Sequence, residues 1–164
     1  MEYTFNSKHF NIINVLIFDG SIQYESISEL KLKDGKLVFE IERRAFENTT
    51  RKLVKRKIFK DYILSYYDGK TSILTFNNVL SFNILPENGT FSSNHFIDNI
   101  ELIDKNHIAF WTCFGTKIVI NVLENFTITL KDIKDSDFGK GSLAGEKFYT
   151  TEEWIAFLKK EGYQ

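Results

Sequence analysis

The stretch that decides the fold most clearly runs from Ser28 to Arg43 and reads SELKLKDGKLVFEIER. A two-residue turn at Asp34-Gly35 predicts a β-hairpin, because both central positions need φ > 0, which glycine adopts freely and aspartate at modest cost. This register places on one mostly apolar face the pairs Leu32 with Leu37, Leu30 with Phe39, and Ser28 with Ile41. The stretch therefore predicts a hairpin with one face in the core.

The Asp-Gly pair occurs at two further places, and each predicts another hairpin. Residues 10–18 are apolar and rich in β-branched side chains, and Asp19-Gly20 follows them. Residues 61–67 and 70–76 flank Asp68-Gly69 in the same way. The other predicted strands are residues 51–59, 79–85, 100–103, 108–114, 117–123 and 126–130. The gaps between the last four are short, and short gaps require antiparallel neighbours.

The pattern predicts one all-β domain over residues 1–164, built from an antiparallel hairpin meander. Roughly ten strands exceed what one flat open sheet accommodates comfortably, so we expect a β-sandwich or a partly open barrel. Residues 1–130 form the β-rich body, and residues 131–149 are expected to be a polar loop. Residues 150–164 hold one C-terminal α-helix, at about 151–161, because Thr150 and Glu153 form a capping box.

Composition limits the compartment and the class of partner. Hydrophobic residues make up 43% of the chain and aromatic residues 15%, which favours a packed β-rich protein. The single cysteine cannot form an internal disulfide, and the N-terminus lacks the pattern of a signal peptide, so we expect a cytoplasmic protein. No apolar run approaches the roughly 20 residues that span a bilayer, so no membrane association is expected.

Residues 43–60 form a strongly basic segment, with eight basic residues and one acidic residue, Glu47. The segment carries +7, while the remainder of the chain carries about −8 against a net charge of −1. Such a segment serves either as a docking patch for an acidic partner or as protection of an edge strand against aggregation. As docking patch it predicts a protein partner, with nucleic acid less favoured. The candidate contact residues are Arg43, Arg44, Arg51, Lys52, Lys55, Arg56 and Lys57.

No motif in the chain has the spacing of a catalytic or metal site, so we expect a protein that is not an enzyme and has no cofactor. His9, His95 and His107 stand far apart and show no metal-ligand spacing. Cys113 lies in an apolar strand, which favours a buried, inert thiol. Residues 135–146 imitate a calcium loop, but Lys140 occupies the position that needs glycine. The alternatives are a small-ligand site inside the β-fold, or a hydrolase that uses His95 or His107 with a carboxylate.

Two stretches give the chain a resemblance to the small β-rich immunity proteins that bacteria encode beside polymorphic or contact-dependent toxins. Leu74-Thr-Phe76-Asn-Asn-Val79 is similar to an L-x-F-x-x-V stretch of those domains, and Gly115-Thr-Lys-Ile-Val-Ile-Asn follows later. The resembling part runs from about residue 22 to residue 130. The resemblance implies an inhibitor that binds one toxin domain and performs no chemistry. The basic segment departs from the acidic surfaces common in inhibitors of nucleic-acid-cleaving toxins.

Overall fold

The computed structural model describes residues 1–22, 30–54, 62–86, 95–113 and 116–144. The predicted C-terminal helix lies outside the described residues. In chain order the elements are β1 (Glu2–Phe5), a short 3-10 turn (Ser7–His9), α1 (Phe10–Ile17), β2 (Ser21–Ile22), β3 (Lys36–Val54), β4 (Tyr62–Pro86), β5 (His95–Asp104), β6 (His107–Thr112) and β7 (Thr116–Ala144).

The strands form an antiparallel barrel. Their order is β7, β4, β3, β2, β5 and β6, and β6 pairs again with β7, which closes a ring of six strands. The remaining strand, β1, pairs with β7 from Glu2 opposite Lys131 to Phe5 opposite Ile128. The prediction of an all-β antiparallel fold is confirmed, and the closing pair makes the architecture a barrel.

The turn at Asp34-Gly35 is confirmed, but the hairpin around it is not. Both residues have positive φ, at 50° and 68°. The incoming side contributes only a bridge between Lys33 and Lys36, and residues 30–32 are not in a strand. Strand β3 pairs instead with β4 on one side and with β2 on the other, so Ile41 lies between Ser72 and Ile22. The predicted pairs of residues 30 and 32 are therefore wrong, whereas residue 28 lies outside the described residues.

The alternation of β3 is as the sequence predicts. Leu37, Phe39 and Ile41 are fully buried, while Val38 and Glu40 are exposed. The rings of Phe39, Phe76 and Phe110 fill the centre of the barrel, with centroids 5.6 to 6.4 Å apart. These contacts form the middle of the hydrophobic core.

Residues 10–17 form a helix, so the strand predicted there is wrong. The buried residues Phe10, Ile13, Leu16 and Ile17 follow the helical period rather than the alternation of a strand. Asn14 fastens the helix to the barrel, because its side chain accepts a hydrogen bond from the Ile100 N–H and donates one to the Ile100 carbonyl, both at 2.7 Å. Tertiary contacts thus override the strand preference of the β-branched residues.

Strands β4 and β7 continue through positions where the sequence predicts turns. Asp68-Gly69 lies inside β4, and a Cβ added at Gly69 would overlap the backbone of Ser136 and Phe138. Glycine is therefore required there for close packing of two strands rather than for a turn. Similarly, β7 runs unbroken from Thr116 to Ala144, so residues 131–144 are strand and not the predicted polar loop. The described residues contain seven strands instead of about ten.

Beyond the barrel, three strands continue together as a small sheet that we call the β-arm. It consists of residues 50–54 of β3, 62–67 of β4 and 141–144 of β7. Register shifts between Ala45 and Thr50 and between Tyr67 and Gly69 separate it from the barrel. Among the described residues, β3 has no second neighbour past Glu42. The β3 side of the β-arm is thus an open edge within that part of the chain.

Candidate functional site

The first residue of the basic segment, Arg43, lies inside the barrel and not on the surface. It continues the inward-facing row of β3, and its side chain is 0% exposed. Its guanidinium donates to Glu47 from two nitrogens, with Nη2 to Oε1 at 2.6 Å and Nη1 to Oε2 at 3.1 Å. Nη2 also donates to Asp132 Oδ1 at 2.9 Å. Because internal carboxylates use this guanidinium, the placement of Arg43 in an exposed docking patch is corrected.

Arg43, Glu47, Ser72 and Asp132 form a connected group that we call the Arg43 cluster. Arg43 Nε donates to Ser72 Oγ at 3.2 Å, and Ser72 Oγ donates to Asp132 Oδ1 at 2.8 Å. Arg43 Nη1 also donates to the carbonyl of Leu16 at 3.4 Å. The cluster therefore joins α1, β3, β4 and β7 at one end of the barrel, which indicates a structural role.

Electrostatics favour the charged states of Arg43 and Asp132. Burial alone would lower the pKa of Arg43, but the hydrogen bonds to Glu47 and Asp132 raise it overall. Burial would raise the pKa of Asp132, yet the hydrogen bonds from Ser72 and Arg43 lower it overall. The pKa of Tyr3 is raised by burial and by the charge of Glu47. The cluster is thus a charged network whose members stabilise one another.

The signal for this cluster was present in the sequence as strand alternation. Arg43 has the parity of Leu37, Phe39 and Ile41, and Asp132 has the parity of Ile128 and Leu130. A strict alternation places both side chains inside the barrel. Sequence reasoning missed the pair because it treated residues 43–60 as one charged segment and residues 131–149 as a loop.

The next basic residue, Arg44, lies at the surface beside the end of α1. Its Nη1 is 3.2 Å from Asp19 Oδ2, and the two side chains are 31% and 44% exposed. An exposed pair of this kind contributes little to stability. Arg44 is therefore accessible to a partner, although Asp19 neutralises part of its charge.

Two of the remaining candidate contact residues, Arg51 and Lys52, lie on the β-arm. The backbone of Arg51 pairs with Ser65, and that of Lys52 pairs with Leu64. Lys55, Arg56 and Lys57 lie outside the described residues. The structure thus places Arg51 and Lys52 together on the open edge strand, and separates them from the buried Arg43.

The two histidines of the hydrolase hypothesis do not converge. His95 begins β5 opposite Ile22, whereas His107 pairs with Asp104 at the far end of that strand. Nine residues of strand separate these positions by about 30 Å. His107 Nδ1 lies 2.9 Å from Asp104, whose Oδ1 also accepts the N–H groups of Asn106 and His107. The backbone of Asn106 and the ring of His107 lower the pKa of Asp104, so this pair stabilises an exposed turn.

Cys113 is exposed, which corrects the expectation of a buried thiol. Its pKa is raised, first by partial burial and then by the charges of Asp98 and Asp19. A raised pKa lowers the thiolate fraction at neutral pH, and the thiolate is the nucleophile. The cysteine is therefore accessible but not activated.

A surface cavity of about 240 Å³ lies beside the Arg43 cluster. It is lined by Met1, Lys70, Asp132, Ile133, Lys134 and Asp135. Its charges are largely paired within the protein: Lys70 contacts Asp135, and the terminal ammonium of Met1 lies 3.7 Å from Asp132. Small-molecule sites are usually larger and mostly apolar. This cavity therefore resembles a gap between ion pairs more than a ligand site.

Comparison of the chain with family models, with curated proteins and with solved structures gave no match. In the first of the two stretches that carry the resemblance to immunity proteins, Leu74, Phe76 and Val79 are buried core residues of β4. Their role is in packing, so they bear on the fold and not on a contact surface.

The described part of the chain offers neither a metal-binding cluster nor a membrane-spanning helix. No group of three or more His, Cys, Asp or Glu residues there is arranged to hold a metal ion. Within the same ranges, no helix has the length and apolar character needed to cross a bilayer.

Proposed function

We propose that this protein is a non-enzymatic binding protein that recognises an acidic protein surface through the β-arm. The observation that supports this proposal is the path of β3, which leaves the barrel with β4 as its only described neighbour past Glu42. That strand carries Arg51 and Lys52, and the next residues in sequence include Lys55, Arg56 and Lys57. The proposed contact surface therefore consists of these residues and Arg44, without the buried Arg43.

The physical basis is strand addition combined with charge. An edge strand presents a row of backbone N–H and C=O groups that are ready to pair with an extended segment of another chain. Backbone hydrogen bonds supply affinity without sequence preference, and the basic side chains favour an acidic segment. The expected partner therefore presents an extended stretch rich in Asp and Glu.

In its finer form, the proposal is that the partner is a bacterial toxin domain and that the protein is a cytoplasmic immunity-type inhibitor. This part rests on the resemblance of residues 74–79 and 115–121 alone. An inhibitor needs no catalytic residues, which agrees with the separation of His95 and His107. The small-ligand hypothesis has less support, because the rings of Phe39, Phe76 and Phe110 occupy the centre of the barrel.

The proposal is tested by affinity capture from lysate of the source cell with three immobilised proteins. They are the wild type, the β-arm variant Arg51→Glu with Lys52→Glu, and a control variant, Lys105→Glu with Lys131→Glu. The control makes the same change of charge at two exposed positions away from the β-arm. We expect a partner that binds the wild type and the control but not the β-arm variant, and whose binding weakens as salt rises.

Three other results would count against parts of this proposal. Equal capture by all three proteins would remove the β-arm as the binding surface. If the wild type captures nothing specific, the basic edge serves only to prevent aggregation, and the binding function is wrong. A captured partner whose expression does not harm cells lacking this protein would refute the immunity role while leaving the binding role intact.

A further inference from the structure

The second half of β4 has an open side within the described part of the chain. Residues 81–86 pair with β7 over their whole length. On the opposite side of β4, the last backbone hydrogen bond between described residues runs from the Val79 N–H to the Gly35 carbonyl, at 2.9 Å. No described strand pairs with β4 on that side beyond this bond. We call residues 80–86 the β4 edge.

The solvent exposure of the inward-facing side chains agrees with an open edge. Phe82 and Ile84 pack against the core from β4, but they are only partly buried. Their partners on β7, Ile120 and Ile118, are 0% exposed, because β7 lies between β4 and β6 at this level. Solvent therefore reaches the inner side of β4 from the side that lacks a neighbouring strand.

The β4 edge carries no charge that would prevent pairing with another strand. Residues 77–86 read NNVLSFNILP, without Asp, Glu, Lys or Arg, in a chain of which 26% is charged. Natural proteins commonly protect an exposed edge with charged side chains. Leu80 and Leu85 are instead 53% and 44% exposed. An apolar, uncharged edge of this kind is a contact surface for a further strand.

The chemistry of this edge favours a second copy of the same chain. We propose that two copies pair antiparallel through their β4 edges, about a twofold axis at Asn83. This register places Phe82 opposite the partner's Ile84, and aromatic side chains opposite β-branched ones stabilise a sheet. No like charges meet, whereas an acidic or basic partner would find no complementary charge on this edge.

The contact is small, so the dimer is weak. Seven residues of strand cover about 23 Å. A strip one strand wide buries less than the roughly 1,200 Å² of total surface that marks the lower limit of standard interfaces. Because a twofold contact uses the same surface on both copies, association stops at two. We expect a monomer–dimer equilibrium with a Kd in the micromolar range or above.

The test is analytical ultracentrifugation of the full-length chain over a range of protein concentrations. The wild type should shift from monomer towards dimer as concentration rises. Asn83 is exposed, so Asn83→Lys and Asn83→Asp should each keep Tm within about 2 °C of the wild type. Each variant places two like charges opposite each other at the axis, which should weaken association by about fivefold.

Two further samples make this test specific for the twofold axis. An equal mixture of Asn83→Lys and Asn83→Asp places opposite charges at the axis and should restore the dimer. The control Asn11→Lys makes the same chemical change at an exposed position of α1 and should associate as the wild type does. None of these variants alters the β-arm, so the outcome is independent of the capture experiment.

Three outcomes would overturn the proposal. The first is a wild type that stays monomeric at the highest concentration at which it is soluble. The second is equal association of Asn83→Lys and the wild type, which would place the contact elsewhere. The third is a mixture that stays as weakly associated as its two components. Should the variants fail to fold, hydrogen exchange of the wild type decides: amides of residues 81–85 should exchange more slowly at high protein concentration, and unchanged rates would refute the pairing.

Discussion

Replacing Arg43 with methionine tests the structural role of the Arg43 cluster. The substitution keeps the length and apolar part of the side chain but removes the guanidinium, leaving Asp132 and Glu47 without their cation. These carboxylate side chains are only 8% and 19% exposed. Breaking a buried ion pair by removing one partner costs about 3 to 5 kcal/mol. For a chain of this size, each 1 kcal/mol lowers Tm by about 2 to 4 °C, so a fall of roughly 6 to 20 °C is expected.

The neighbouring residue provides a matched control for this experiment. Arg44→Met makes the same chemical change on the same strand, but it removes an exposed pair with Asp19 worth about 1 kcal/mol or less. Urea unfolding followed by circular dichroism gives the free energy of unfolding of both variants. The reasoning is refuted if Arg43→Met is no more destabilising than Arg44→Met. Such a result would mean that the barrel end tolerates two unpaired carboxylates.

Two further predictions concern the attachments of the barrel. Burial would raise the pKa of Asp132, but the hydrogen bonds from Ser72 and Arg43 lower it overall in the folded state. The ionised Asp132 therefore stabilises the fold fully above the unfolded pKa of about 3.9, and this contribution is lost as pH falls through the lower folded pKa. Asp132→Asn should therefore show a smaller loss of unfolding free energy between pH 7 and pH 3 than the wild type; an equal loss would exclude Asp132 as the acid-sensitive group. Asn14→Ala removes both hydrogen bonds to Ile100 and should cost about 1 to 3 kcal/mol in urea unfolding. Asn11→Ala, at an exposed position of α1, is the control. Equal losses of unfolding free energy in the two variants would contradict the role of Asn14 in attaching α1 to the barrel.

The sequence was most informative where a local rule decides the structure alone. Asp34 and Gly35 have the positive φ angles that an Asp-Gly turn predicts. Alternation on β3 places Leu37, Phe39 and Ile41 in the core. Both features depend on sterics and on the two-residue period of a strand, which operate within a few residues. The antiparallel arrangement follows from short connections for the same reason.

Other features depend on contacts between distant residues and could not be predicted locally. Asp68-Gly69 has the composition of a turn, yet Gly69 is held in β4 by its close approach to Ser136 in β7. Residues 10–17 have the composition of a strand, but the burial of one helical face, with Phe10, Ile13, Leu16 and Ile17, against the barrel selects a helix. For Arg43, strand alternation on β3 predicts a side chain inside the barrel. A charged residue is nevertheless expected at the surface unless its buried partner is known. Asp132, far along the chain, is that partner.

The most direct test of the proposed function is hydrogen exchange of the backbone amides of β3 with and without the captured partner. Among the described strands β4 alone pairs with residues 50–54, which leaves alternate N–H groups there for an added strand to protect. The account predicts that the partner slows exchange at these amides and leaves the turn between β5 and β6 unchanged. Slowed exchange confined to that turn, with residues 50–54 unaffected, would contradict it.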